Sequence, residues 1–155
     1  MQAQILAPAA VLIAWSIVML FWVAFTRFPA MAKLSRERKA AGDNTRMAAA
    51  GGRGQDLEGL IPNRAVWPAH NFTHLMEQPT VFYPAVVILA IMGASAGDVL
   101  AAWVYVAFRI LHSIWQATVN RIPVRLVLFF AATAALIWLA IRAVIATLFH
   151  DPGAL

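Results

Sequence analysis

The sequence has no cysteine and few charged residues among its 155 residues. Without cysteine the chain can form no disulfide bond, no thiolate metal site and no cysteine nucleophile. Charged residues make up 12% of the chain, well below the roughly one quarter that an ordinary soluble domain carries. Hydrophobic residues reach 62%, and the mean hydropathy is +0.72. This composition indicates an integral membrane protein.

The formal net charge is +5, which by itself is compatible with a nucleic-acid or anionic-surface partner. However, most of the basic residues lie in one segment between two apolar runs, residues 29–68. A cytoplasmic loop that obeys the positive-inside rule accounts for such a cluster, so we expect no nucleic-acid partner. The same rule puts this segment in the cytoplasm and both termini outside it. As an alternative, some arginines of the segment hold an anionic substrate.

Four apolar segments are each long enough to cross a hydrocarbon core of about 30 Å. The first is too long for a signal-peptide core and has no basic residue before it, so we interpret it as a retained helix. Arg142 is expected to extend from the last segment toward the membrane surface. The sequence thus predicts an all-α membrane protein, a four-helix bundle forming one domain over residues 1–155. The predicted helices are about 5–28, 69–92, 99–119 and 124–148.

The second segment opens with polar side chains where hydrocarbon is expected. At about 100° per residue, His70, His74 and Glu77 share one helical face. A carboxylate at membrane depth costs several kcal/mol unless it is paired, so this face marks an interior contact or a site. The spacing resembles helical His/His/carboxylate metal ligation, but a second Glu/His helix is missing, and we expect no metal. Pro79 predicts a bend at residues 78–80.

A second polar stripe runs along the third segment at spacings of four, three, four and four residues, which keeps its members on one face. We expect Glu77 to form a buried pair with Arg109, within one chain or across an oligomer contact, with His112 hydrogen-bonded to the pair. Alternatively, the cluster only locks the helices together. The members of the stripe are Tyr105, Arg109, His112, Gln116 and Asn120.

Two motifs give the chain a family resemblance. The run from His70 to Pro79 (HNFTHLMEQP) opens the second segment, and the run from Trp103 to Ser113 (WVYVAFRILHS) lies in the third, followed by Asn120. With four spans of this length, the set resembles the membrane-associated proteins in eicosanoid and glutathione metabolism (MAPEG), in their bacterial branch.

The resemblance implies a homotrimer in the bacterial inner (plasma) membrane, surrounded by lipid, with glutathione as co-substrate between neighbouring subunits near the cytoplasmic side. It also implies a lipophilic small molecule as second substrate. Arg125 matches the family arginine that stabilises the glutathione thiolate, which makes it the candidate catalytic residue. The candidate glutathione-binding residues are His74, Glu77, Arg109, His112, Gln116, Asn120 and Arg121.

Two functions of different classes follow. The first is a glutathione-dependent transferase or peroxidase that acts on lipophilic electrophiles. The second is a non-catalytic membrane scaffold that binds lipid or a partner and whose Glu/Arg/His cluster is structural. The sequence favours the first through the family resemblance.

Overall fold

The computed structural model describes residues 3–43 and 54–149, and five α-helices make up most of this part of the chain. A short 3₁₀ helix, Gly54–Leu57, precedes the second of them. Helices α2 and α3 follow each other directly and together form one of four helical segments long and apolar enough to cross a membrane. The helices are α1 (Leu6–Ala40), α2 (Asn63–Glu77), α3 (Pro79–Met92), α4 (Ala96–Thr118) and α5 (Ile122–Leu148).

The second span is divided at Gln78, where the sequence predicts a bend. Pro79 is the first residue of α3 and has no backbone N–H to continue the hydrogen bonds of α2. The Thr80 hydroxyl donates instead to the backbone carbonyl of Glu77, at 2.5 Å. The polar part of the span, α2, is thereby separated from its apolar part, α3.

Two helix boundaries differ from the sequence prediction. Helix α1 does not end near residue 28 but continues to Ala40, and α2 begins at Asn63 rather than near residue 69. At about 1.5 Å per residue, the 35 residues of α1 span about 52 Å, more than a hydrocarbon core requires. The extension is stabilised by a small apolar core that hydropathy alone does not show, in which Ala30, Met31 and Leu34 pack against Leu57, Ile61, Ala65 and Val66.

The main core lies between the four spans. The Phe82 ring of α3 stacks on the Tyr105 ring of α4, with ring centroids 4.3 Å apart. Leu12 and Met19 of α1 and Leu89 of α3 are fully buried in the same core. Many large apolar side chains of α1 and α5 remain exposed, Phe25 among them. In an integral membrane protein these side chains face lipid or another subunit.

The predicted stripe of α4 does lie on one buried face. Arg109, His112 and Gln116 are each at most 4% exposed, and Asn120 follows the end of the helix. On the same face, Ser113 accepts hydrogen bonds from the Trp15 indole at 2.9 Å and from the Asn71 amide at 2.5 Å. These bonds connect α1, α2 and α4 through one hydroxyl.

At one end of the bundle, which we call the turn end, α3 turns into α4. Ser95 caps α4 and exchanges hydrogen bonds with Asp98, which is fully buried. Arg142 of α5 places its Nε 3.0 Å from Asp98 Oδ1. Arg142 thus reaches the turn end, where it pairs with a buried carboxylate that the sequence analysis did not assign to it. The opposite end, where α1, α2, α4 and α5 meet, we call the cavity end.

Candidate functional site

A cavity of about 550 Å³ lies at the cavity end. This volume falls within the range of roughly 300–1,000 Å³ that is usual for small-molecule sites. We call it the polar cavity, because most of its lining side chains are charged or can form hydrogen bonds. It is lined by Arg27, Gly54, Gln55, Glu58, Val66, Ala69, His70, Thr73, His74, Glu77, Gln116 and Arg125.

Helix α2 provides one wall of the polar cavity with two histidines one turn apart. His70 Nε2 lies 2.7 Å from Glu58 Oε1, in the segment that precedes α2. His74 Nδ1 lies 2.8 Å from Glu77 Oε2, on the same helix. Each imidazole thus has its own carboxylate partner. Within the described residues, no group of three or more His, Asp or Glu side chains is arranged to hold a metal ion.

Helix α4 forms the floor. Gln116 is 2% exposed and lines the cavity, and its Oε1 is buried without a hydrogen-bond partner in the described part of the chain. Arg109 is about two turns deeper, and its Nη2 donates to the backbone carbonyl of His74 at 2.6 Å. The last carbonyls of a helix lack partners within the helix, and a cation is favourable there. Arg109 therefore caps the last turn of α2.

The connection from α4 to α5 positions Arg125. Asn120 has φ +55°, a left-handed conformation that asparagine tolerates better than most residues. Its side-chain carbonyl accepts a hydrogen bond from Arg125 Nη1 at 2.8 Å, while Arg125 Nε is buried without a partner among the described residues. Arg125 is thus held in place on one side and retains a donor. Arg121, the residue before α5, is exposed.

A second cavity of about 370 Å³ adjoins the first. We call it the apolar cavity, because α5 lines it with hydrocarbon and aromatic side chains. His112 also lines it, and its ring lies 6.4 Å from the Phe129 ring between centroids. Two side chains, His74 and Arg125, line both cavities. The complete lining is His74, His112, Ile122, Arg125, Leu126 and Phe129.

The sequence of the chain matches one known protein family over most of its length. The family model described as the MAPEG family matches residues 5–145, nearly the whole chain. The chain belongs to the MAPEG family. No protein of curated function and no solved structure matches it significantly. Membership confirms the family resemblance and the four-helix membrane fold, and it makes this chain an integral membrane protein.

In this MAPEG protein one central expectation from the sequence is wrong within a single subunit. Glu77 is not buried against Arg109: its side chain is 60% exposed and pairs with His74, while Arg109 binds a backbone carbonyl. His112 contacts the rings of His74 and Phe129 in place of the expected hydrogen bond. The break after Glu77 explains the difference, because it exposes carbonyls of α2 that attract the buried guanidinium more directly than a side chain at the helix surface does.

The candidate residues of this MAPEG protein do not all line the two cavities. His74, Glu77, Gln116 and Arg125 line the polar cavity, and His112 lines the apolar one. Arg109 and Asn120 contact cavity residues but line neither of these two cavities. Arg121 lines neither cavity, so in one subunit the structure does not bring it to the site.

Sequence reasoning missed the contribution of α1 and of the segment before α2. Arg27 and Glu58 both line the polar cavity. Arg27 follows the first apolar run and Glu58 lies in the basic segment, where a solvated topology signal accounts for both. At the turn end, the pattern Ser95-x-x-Asp98 is a capping-box signal that could have located the start of α4.

Proposed function

We propose that this MAPEG protein is a glutathione-dependent transferase or peroxidase that acts on lipophilic electrophiles. Glutathione occupies the polar cavity, and the electrophile occupies the apolar cavity. One observation carries the proposal: the Arg125 side chain lines both cavities. A thiol bound in the first cavity would therefore meet an electrophile in the second cavity beside a fixed cation.

The chemistry of the polar cavity suits a tripeptide with both signs of charge. Arg27, His70 and His74 can take carboxylates or peptide carbonyls, and Glu77 can take an ammonium group. Gln116 adds an amide side chain to the lining of the cavity. The cavity thus offers both donors and acceptors to glutathione.

Arg125 supports the chemical step in this proposal. A cation close to a thiol favours the thiolate, which is the nucleophilic form. The hydrogen bond from Arg125 Nη1 to Asn120 fixes the guanidinium before any ligand binds, so little reorganisation is needed. The thiolate then attacks the electrophilic carbon of the second substrate and the leaving group departs. With a hydroperoxide, the thiolate instead attacks the terminal peroxide oxygen, the O–O bond breaks and the alcohol leaves after protonation. A second glutathione then attacks the resulting sulfenic sulfur, which forms the disulfide and releases water.

The assembly belongs to the same proposal. Glu77 and His74 lie in a membrane-spanning segment, and their side chains are 60% and 42% exposed in a single chain. Exposure of this carboxylate to acyl chains would be costly. A neighbouring subunit of a homotrimer would cover this face and close the two cavities. The mass of the protein in mild detergent tests this part, and a monomer would contradict it.

The test of catalysis is the ultraviolet thiolate difference absorbance on adding glutathione. Wild type should give a thiolate signal, and Arg125→Ala should lose it. Arg121→Ala is the matched control, because Arg121 is an exposed arginine one turn away that lines neither cavity. No signal in wild type would end the transferase interpretation. A signal that survives in Arg125→Ala would keep glutathione and remove Arg125 from the chemistry.

A non-catalytic scaffold is the second candidate, and specific contacts favour it. Arg109 caps α2, and Ser113 joins Trp15 and Asn71, so much of the buried polar stripe already has a structural role. In that case purified protein should bind no glutathione by calorimetry. Binding without a thiolate signal would indicate a glutathione-binding protein with no transferase chemistry.

A further inference from the structure

A short segment lies across the polar cavity and uses the same groups that a ligand would use. We call residues 54–60 the strap. Gly54, Gln55 and Glu58 of the strap line the cavity. Polar contacts join the strap to the cavity wall: the Arg27 guanidinium donates to the Gly54 carbonyl, and Glu58 Oε1 lies 2.7 Å from His70 Nε2.

The strap is anchored on its other side by apolar packing. Leu57 is 9% exposed and packs in the small core against Met31 and Leu34 of α1. Gly59 has φ +77°, which lets the chain turn sharply before α2. The strap therefore has a fixed apolar anchor, and its polar contacts can change while Leu57 stays in place.

Both wall partners of the strap are positions where an anionic ligand would bind. Arg27 and His70 line the cavity, and His70 already has a carboxylate from the chain itself. We propose that the strap is autoinhibitory: the Glu58 carboxylate occupies the His70 site that a ligand carboxylate takes, and ligand entry displaces Glu58 and lifts the strap. This inference rests on the proposed function, because glutathione is taken as the anionic ligand.

The contact between Glu58 and His70 is weak enough to break reversibly. The His70 and Glu58 side chains are 37% and 52% exposed, so water competes for both. A ligand that binds only the open form has its apparent affinity reduced by the fraction of protein that is open. Removal of the Glu58 charge should therefore tighten glutathione binding by about two- to fivefold.

The first experiment is calorimetric titration of glutathione into wild type and Glu58→Gln. Glu37→Gln is the control for the loss of one negative charge, because Glu37 lies outside the polar cavity and forms a longer, more exposed ion pair with Lys33, at 3.8 Å. Both variants lose one negative charge, but only Glu58→Gln should bind more tightly. His70→Gln should open the strap as Glu58→Gln does, yet weaken binding, because it removes the site itself.

The second experiment observes the strap directly. Because the chain has no cysteine, cysteines at Gln55 and Thr118 give a clean pair of sites for thioether-linked spin labels, which glutathione cannot reduce off. Labelled protein is diluted into unlabelled protein so that distances within one subunit dominate. In pulsed electron paramagnetic resonance, the distance should lengthen in ligand-free Glu58→Gln, and in wild type only when glutathione is added.

The outcomes separate this inference from the proposed function. Unchanged or weaker binding by Glu58→Gln, or a strap that does not move in it, overturns the autoinhibitory contact. If glutathione binds to neither protein, the proposed function fails. The distance between the two spin labels without ligand then still tests the contact between Glu58 and His70. A longer distance in Glu58→Gln then supports it, and an unchanged distance overturns it.

Discussion

The two ends of the bundle use polar side chains in opposite ways. At the turn end, both carboxylate oxygens of buried Asp98 have partners, Arg142 on one side and Ser95 on the other. At the cavity end, Gln116 Oε1 and Arg125 Nε are buried without a hydrogen-bond partner in the described residues. One end is complete within the subunit, and the other leaves donors and acceptors unused.

The difference separates stability from function. An unsatisfied buried polar group costs about 1–3 kcal/mol, so a fold does not accumulate such groups without a reason. The satisfied groups of the turn end fix α4 against α5. Of the two side chains with unsatisfied groups at the cavity end, Gln116 lines the polar cavity and Arg125 lines both cavities, which is the place that the proposed function gives to the ligands. Substitutions at the two ends should therefore affect different quantities.

The largest expected effect on stability is at the turn end. Asp98→Ala removes a capping-box partner of α4 and leaves Arg142 without its carboxylate. The combined loss should be about 3 kcal/mol in the free energy of unfolding, measured by SDS titration in mixed micelles. Ser95→Ala, which weakens the cap alone, is the control and should cost about 1 kcal/mol. Equal losses for both variants would show that the Arg142 contact contributes nothing.

The second largest effect on stability is expected at Arg109. This residue lies at the cavity end, but its contact with the His74 carbonyl is structural. Arg109→Met keeps most of the volume but removes the donor to the His74 carbonyl. We expect a loss of about 1–2 kcal/mol in the free energy of unfolding. Arg109→Lys, which keeps the charge, should recover part of it. If Arg109→Met is as stable as wild type, the contact of Arg109 with α2 does not contribute to stability, and Arg109 remains a candidate ligand-binding residue.

The sequence predicted the fold well because membrane spans depend on local composition. Four apolar runs and a polar stripe with helical spacing are sufficient to place the spans and the inner face of α4. The extension of α1 to Ala40 was not predictable in this way. It depends on Leu34 packing against Leu57 and Ile61, a contact between segments that hydropathy does not report.

The candidate site was predicted by residue type more than by contact. His74, Glu77, Gln116 and Arg125 line one cavity, and their role in binding glutathione stays a prediction. The partner of Glu77 was not predictable, because the break at Gln78 decides which carbonyls are free to attract Arg109. Side-chain pairing depends on local geometry that spacing alone does not determine.

A substitution at Gln116 should separate the effect on stability from the effect on glutathione affinity most clearly. Gln116→Leu removes a buried acceptor that has no partner and replaces it with hydrocarbon. The free energy of unfolding should stay unchanged or rise by up to about 1 kcal/mol, while glutathione affinity falls. Gln78→Leu is an instructive control, because Gln78 Nε2 donates to Thr133 Oγ1 at 2.8 Å and its loss should cost stability. Lower stability in Gln116→Leu would mean that the cavity end is already satisfied.

The smallest effect on stability is expected at Glu77, and it tests how far one subunit can account for this end. Both Glu77 and its partner His74 are well exposed in the single chain, at 60% and 42%. Pairs of this kind contribute little, so Glu77→Ala should lower the free energy of unfolding by less than about 0.5 kcal/mol. In a double-mutant cycle with Arg109→Ala, the two losses should add, because the two side chains do not pair within one subunit. A loss above about 2 kcal/mol, with strong coupling to Arg109, would show instead that the neighbouring subunit proposed above does more than cover the His74–Glu77 pair and places its own Arg109 against Glu77 across the interface.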